Sequence, residues 1–167
     1  MPNINFTPFP NLTTERLTLR QLSVQDENEL FTLRADEEAA KFVDRPVVQS
    51  VEGMRQFIDR INDGVAKNEW IFWAITFKND PKLIGTICLW NMSVEDEKAE
   101  IGYELIRVYQ GKGIMQESVT AVIEYGFKQM GLKAIEGVVH PDNVKSIKLL
   151  ERNKFIRDNT FAKNEGM

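Results

Sequence analysis

The spacing of apolar residues along this chain switches between a period of two and a period of about 3.6, and each switch marks a change of element. Residues 16–22 alternate, with Leu17, Leu19 and Gln21 on one side, as a half-buried strand does. Ser23-Val24-Gln25-Asp26 then offers a helix cap, and a helical pattern follows over residues 29–39, with Leu30 and Leu33 inward. A second helix is predicted over 50–66, where Met54, Phe57, Ile58 and Ile61 fall at helical spacing. The middle of the chain is strand-like. Residues 70–77 form a dense aromatic and β-branched run, Asn79-Asp80-Pro81-Lys82 a turn, 83–90 the returning strand and 91–96 a second turn. A third strand over 99–107 puts Ile101, Tyr103 and Leu105 on one face, so three strands make an antiparallel meander. Residues 111–131 read as a helix with Met115, Val119, Val122, Ile123, Phe127 and Met130 on one side and Gly131 at its end. A short strand over 134–139, a helix start at 140–143, a helix over 144–152 and an opening strand at Phe155-Ile156-Arg157 follow. The order βααβββαβαβ describes a mixed α/β sheet with helices on both faces, and the strand–helix–strand crossover from 99 to 139 makes its two strands parallel.

Composition narrows the chemistry. The 167 residues show no repeat or Gly/Ser-rich linker, so one domain over 1–167 is expected. One cysteine, Cys88, excludes an internal disulfide framework, and one histidine, His140, excludes clustered-histidine metal sites. Cys88 in an alternating strand reads as a buried small hydrophobe, and His140 beside Pro141 as a turn residue. The expected chemistry uses neither metal nor thiolate. With 21 basic and 25 acidic residues the net charge is −4, which disfavours nucleic acid and suits a cationic partner. No apolar run is long enough to span a bilayer, and residues 1–10 lack a basic-then-apolar leader, so a cytoplasmic protein without membrane contact is expected, as monomer or homodimer.

The turn between the third strand of the meander and the long helix carries a candidate site. In Gln110-Gly111-Lys112-Gly113-Ile114-Met115-Gln116 the two glycines permit a tight backbone, and the free N–H groups of the following helix start favour an anion, with phosphate the obvious occupant. A Walker-type loop would need glycine at 106, which is Ile106, and the dinucleotide fingerprint a third glycine at 116, which is Gln116.

Gln110-x-x-Gly113-x-Met115 is similar to the Gln/Arg-x-x-Gly-x-Gly/Ala signature of the GCN5-related N-acetyltransferases (GNAT), with Met115 in place of the usual small residue. Thr14-Glu15-Arg16-Leu17-Thr18-Leu19-Arg20 resembles the opening strand of the RimJ/RimL-like branch of that family. Ile84-Gly85-Thr86-Ile87 and Glu100-Ile101-Gly102-Tyr103-Glu104-Leu105 resemble its central strands. The segment 143–150, followed by Asn153-Lys154-Phe155, resembles its second acetyl-CoA segment, with Asn153-Lys154 where Leu-Gly is common. The resemblance runs over about residues 12–157. It departs at the end, where the family closes with a two-stranded hairpin. Only about a dozen residues follow Phe155, so that hairpin is expected to be shortened, with its last strand absent or supplied by a partner.

The resemblance implies the acyl-CoA N-acyltransferase fold and transfer of acetyl from acetyl-CoA to a primary amine by direct attack. It implies that backbone groups near Leu105, Ile106 and Arg107 pair with the pantetheine arm, and that the Gln110–Gln116 loop, including Gly111, Lys112, Gly113, Ile114 and Met115, holds the pyrophosphate. Asn143 would meet the pantetheine arm while capping its helix, and Ser146 would protonate the departing thiolate. Lys148, with Lys145 and Arg152 on the same helix face, is a candidate for the 3′-phosphate or simply an exposed charged face. Glu100 and Glu104 share one strand face and are candidate bases, with Glu136 a third and surface carboxylates the plain alternative. Trp73, Trp90 and Tyr103 are candidate walls of the amine tunnel or core residues. The acceptor is read as a protein or peptide N-terminus; a small-amine acetyltransferase and a non-catalytic CoA-binding module are the alternatives.

Overall fold

The computed structural model describes residues 4–36, 50–139, 142–157 and 161–164. One eight-stranded mixed sheet organises them, in the spatial order β1-β2-β3-β4-β5-β6-β8-β7. β1 (Leu12–Thr13) and β2 (Leu17–Gln21) are joined by a turn in which the Thr14 N–H donates to Leu17 O and the Leu17 N–H to the Thr14 hydroxyl, both at 3.0 Å. A 3-10 turn (Val24–Asp26) leads into α1 (Glu27–Arg34). Ser23 caps that turn, and the Asp26 carboxylate accepts from the Ser23 N–H (2.8 Å) and from both Arg20 Nη atoms (2.9 and 2.6 Å). This buried carboxylate is fully partnered, as burial of a charge requires.

α2 (Glu52–Ala66) buries Met54, Phe57, Ile58, Ile61 and Val65, each burial stabilising by roughly 1.5–3 kcal/mol before entropy. β3 (Ile71–Phe77), β4 (Gly85–Ser93) and β5 (Lys98–Leu105) form the meander. After a 3-10 turn (Arg107–Tyr109), α3 (Ile114–Glu124) crosses to β6 (Ala134–Val138), which pairs parallel with β5. α4 (Val144–Arg152), β7 (Ile156–Arg157) and β8 (Phe161–Asn164) complete the described chain.

Odd-numbered β5 residues Ala99, Ile101 and Tyr103 face α3 and α4; even-numbered Glu100, Gly102 and Glu104 face α1 and α2. Two contacts define the sides: Tyr103 meets Ser146 of α4, and Glu104 meets Arg34 of α1. The core is continuous through the sheet, with Leu17, Leu19, Ile71, Trp73, Ile75, Ile87 and Leu89 fully buried.

Several expectations shift. The first helix begins at Glu27 and ends at Arg34, because the capping box lies in the preceding 3-10 turn; residue 39, its expected end, falls outside the described residues. The returning strand reaches Ser93, beyond the expected Trp90. The long helix ends its α-helical part at Glu124 and continues as a π-helical turn over Tyr125–Gln129, closed at Gly131 (φ 73°). Its buried face includes Ile114, Ser118 and Tyr125, none of which the apolar spacing picked out. Residues before β1 carry no periodic pattern, yet Phe6 is buried and the Trp73 indole donates to Pro10 O at 2.8 Å. The largest correction concerns the end. β8 returns within this chain and inserts between β6 and β7, pairing antiparallel with both, so the closing hairpin is short but its last strand is present.

Lys154 ends α4 with a left-handed φ of 68°, which explains why glycine suits this position. Relieving an L-residue of that conformation outweighs glycine's entropy cost. Lys154→Gly is expected to raise unfolding free energy by about 1 kcal/mol, measured by urea titration at unchanged m-value.

Candidate active site

The site forms where the sheet divides. β5 and β6 pair only over Lys98–Glu100 and Ala134–Glu136. Beyond Glu100, β5 stays with β4 as far as Leu105, whereas β6 is held from its other side by β8. Gly85 permits the close β4–β5 approach at the far end, since a Cβ there would lie 2.5 Å from Glu104 O. Antiparallel pairing sends the backbone groups of alternate residues to opposite edges. The Ile106 N–H donates to Ile84 O at 2.9 Å, so Gly102 and Glu104, in phase with it, also aim at β4. Tyr103 and Leu105 therefore aim their N–H and C=O groups into the opening, and Ile101, whose N–H closes the last pair with β6, aims its C=O there.

The three expected pairing positions lie differently in the fold. Leu105 lies on the open edge, its carbonyl accepting from Gln110 Nε2 at 3.0 Å. Ile106 does not, because its C=O accepts from the Tyr109 N–H (2.9 Å), and the Arg107 C=O is taken by the Gln110 N–H (3.1 Å).

The open edge runs into the glycine loop. Gly111 (φ 76°) and Gly113 (φ 77°) are left-handed, and Gly113 starts α3 without any side-chain cap. The first-turn amides of Gly113, Ile114, Met115 and Gln116 have no intrahelical acceptor, the arrangement that suits an anion. The Met115 side chain packs partly against the core, so its bulk does not fill the loop. Gln116 exchanges two hydrogen bonds with Asn153 (3.2 and 3.0 Å), tying the start of α3 to the end of α4. Lys112, Lys145, Lys148 and Arg152 are all exposed.

Proton-carrying groups flank the opening on both faces. On the α4 side, Ser146 shares a 2.5 Å hydrogen bond with the Tyr103 hydroxyl, and Asn143 caps the helix by accepting from the Ser146 N–H at 3.3 Å. Burial pushes the Tyr103 phenol up to about 12, against the opposing effect of the Ser146 hydroxyl, so it stays a neutral donor. On the α1 side, Glu100 stands where the strands part, directly opposite Glu136. Burial raises its pKa, the Asn91 carboxamide (3.4 Å) opposes this, and the Glu136 charge adds to the rise. Glu104 is paired with Arg34 at 3.4 Å, and Glu136 with Lys98 at 3.0 Å. The Arg34 guanidinium also lies 4.0 Å over the Phe57 ring.

Trp90, 43% exposed, lies beside Glu100 and fits a tunnel wall; Trp73, fully buried, is core. His140 and Pro141 fall outside the described residues. A cavity of ≈ 360 Å³ lies at the C-terminal end of β5, lined by Thr32, Ala35, Asp36, Ile106, Arg107 and Val108. Neither the Arg34–Glu104 pair nor the Tyr103–Ser146 hydrogen bond has a local spacing signal in the sequence.

Residues 16–156 match the family model described as an acetyltransferase (GNAT) domain. The chain belongs to the GNAT acetyltransferase family. It is 38% identical over 148 residues to the uncharacterized N-acetyltransferase p20 of Bacillus licheniformis, covering 88% of this chain and 83% of that one. It is 32% identical over 150 residues to the uncharacterized N-acetyltransferase YoaA of Bacillus subtilis, covering 90% and 85%. Its fold matches the RimL ribosomal L7/L12 α-N-protein acetyltransferase in complex with coenzyme A, with a TM-score of 0.85, 18% identity and coverage of 93% and 98%. It also matches the ribosomal-protein-S5-alanine acetyltransferase of Vibrio fischeri, with a TM-score of 0.80, 22% identity and coverage of 93% and 96%. As a GNAT protein this chain is an N-acetyltransferase. No helix among the described residues is long and apolar enough to cross a membrane.

The GNAT sheet hides Cys88, 8% exposed, beside the two carboxylates of β5. Burial, with Glu104 and Glu100 adding to it, pushes the thiol up to about 12 despite a backbone hydrogen bond from Gly102. Iodoacetamide at pH 8 is expected to alkylate Cys88 ~100-fold or more slowly in the folded protein than in denaturant, followed by intact-mass spectrometry.

Proposed function

We propose that this chain acetylates the N-terminal amine of a protein or peptide, using acetyl-CoA in a ternary complex. The observation that carries the reading is the open edge of β5 running directly into the uncapped start of α3. An extended arm with amides suits the first, and a pyrophosphate suits the second. Acetyl-CoA supplies a thioester whose carbonyl carbon bonds to the amine nitrogen as its bond to sulfur breaks.

The chain's own groups divide the remaining work. Backbone groups of Ile101, Tyr103 and Leu105 orient the pantetheine arm, with Asn143 beside it, and a β5 N–H donates to the developing oxyanion. The amides of residues 113–116 hold the pyrophosphate, with Gly111 and Lys112 shaping the turn and Lys148 reaching the 3′-phosphate. Ser146, hydrogen-bonded to the neutral Tyr103 phenol, delivers a proton to the leaving sulfur from the α4 face. Glu100 draws the amine proton from the opposite face. It is preferred over Glu104 because Glu104 is engaged by Arg34, whereas burial and Glu136 lift Glu100 toward the working range of a base. Three carboxylates on the acceptor face, with Trp90 beside them, suit a cationic amine. An α-amino group, with a pKa near 8, needs less deprotonation than a lysine near 10.4. The fold shared with ribosomal-protein acetyltransferases supports the same choice.

Release of free CoA thiol is expected with peptides bearing a free N-terminus and not with their N-blocked counterparts. Release only with polyamines or aminoglycosides would move the acceptor to small amines. Calorimetric CoA binding without release from any amine would make the chain a CoA-binding module.

Glu100→Gln is expected to lower kcat about 10²-fold and to remove the acidic limb of the pH–rate profile. Because folding raises the Glu100 pKa, its ionisation costs stability as pH rises through the folded value. The variant should therefore melt higher than the parent at neutral pH, with the advantage vanishing below the ordinary carboxylate range.

A further inference from the structure

The glycine loop is held from behind by the β1–β2 turn. Glu117, in the first turn of α3, accepts from the Thr14 hydroxyl, the Arg16 N–H (2.9 Å) and Arg16 Nε (2.9 Å). Arg16 Nη1 then donates to the carbonyl of Lys112 at 3.1 Å. Its Nη2 lies close enough that a Cβ on Gly113 would meet it at 3.4 Å. Residues about a hundred positions apart thus grip one turn of backbone.

The Lys112 carbonyl and the Gly113 N–H belong to one planar peptide, in which the C=O and N–H point in opposite directions. Fixing the carbonyl on Arg16 therefore fixes the Gly113 amide toward the opposite side, in line with the uncapped amides of α3. The left-handed φ at Gly111 and Gly113 leaves this peptide otherwise able to flip. Glu117 orients the guanidinium that does the fixing. Its carboxyl is held below the usual range: burial opposes this, but the Thr14 hydroxyl, the Arg16 N–H and the Arg16 guanidinium outweigh burial.

We infer that Thr14, Arg16 and Glu117 form a latch that positions the Lys112–Gly113 peptide for pyrophosphate binding, which makes Arg16 and Glu117 positioning residues for the cofactor. The inference rests on the acetyl-CoA reading of the loop. It assigns a role to an acidic residue beside a dianion, where charge alone would make Glu117 unfavourable.

That sign supplies the test. CoA titrations would compare the full chain with Arg16→Met, Arg16→Lys and Glu117→Gln, each first checked for a cooperative melt. The latch predicts that Arg16→Met and Glu117→Gln both weaken CoA binding about tenfold. Arg16→Lys, keeping the charge but losing the fork, should weaken it as well. In steady state KM for acetyl-CoA should rise in all three. Turnover of S-acetylpantetheine, which lacks the pyrophosphate, should match the parent, a selectivity that general loss of folding would not produce. If Glu117→Gln tightens CoA binding, Arg16 acts as a direct phosphate ligand and the latch is overturned. Equal losses with S-acetylpantetheine would also overturn it. If the parent itself fails to bind CoA, the acetyl-CoA reading falls and the latch with it; if the parent binds and the variants match it, the latch alone falls.

Discussion

Everything at the site depends on the parting of two parallel strands. A sheet normally satisfies both edges of an interior strand, and an unmet N–H or C=O in a protein interior is costly. Here β5 is interior yet loses its partner after Glu100, because β4 and β8 pull the two halves of the sheet apart. The C=O of Ile101, both backbone groups of Tyr103 and the N–H of Leu105 are what an extended ligand arm can pair with. The same divergence leaves room for side chains to approach from both faces of the sheet.

Those faces have opposite chemical characters. The α4 face presents neutral hydroxyls, Tyr103 and Ser146, with burial keeping the phenol protonated. The α1 face presents carboxylates, and there burial and the nearby Glu136 work against ionisation of Glu100. Alternation along one strand is enough to produce this separation, since residues 100 and 103 necessarily point to opposite sides. A half-buried carboxylate and a buried phenol thus flank the opening without sharing an environment that would level their pKa values.

The uncapped start of α3 is held by contacts from distant segments. Arg16 and Glu117 grip the loop from the β1–β2 turn, and Asn153 binds Gln116 and Thr120 from the end of α4. The start of α3 is therefore braced on two sides, which suits a helix end whose amides must stay uncapped. Lys154 holds a left-handed φ as the chain turns at Asn153, the residue that supplies one of those braces.

Much of this was legible from residue order. Dense β-branched and aromatic runs separated by turns in 70–107 mark the meander, helical spacing marks α2 and α4, and the two glycines after the third strand mark the tight turn before α3, because propensity, periodicity and φ > 0 are local properties. The ordered motifs pointed to GNAT N-acetyltransferases, and the family match and the fold agree. Two short strands escape the periodicity for one reason. The short β1 and β8 carry too few residues for any period to register, and each exists only because a longer strand offers it an edge.

What the chain order determined by itself was the set of elements and the chemical types available, since those follow from spacing and side-chain identity. Tertiary structure decided which groups are free to act. Only pairing phase shows that Ile106 turns its backbone toward β4 while Leu105 faces the opening. Only packing shows that Arg34 engages Glu104 and leaves Glu100 beside Glu136. Hydrogen bonding and desolvation depend on neighbours far away in sequence, and no local pattern encodes them.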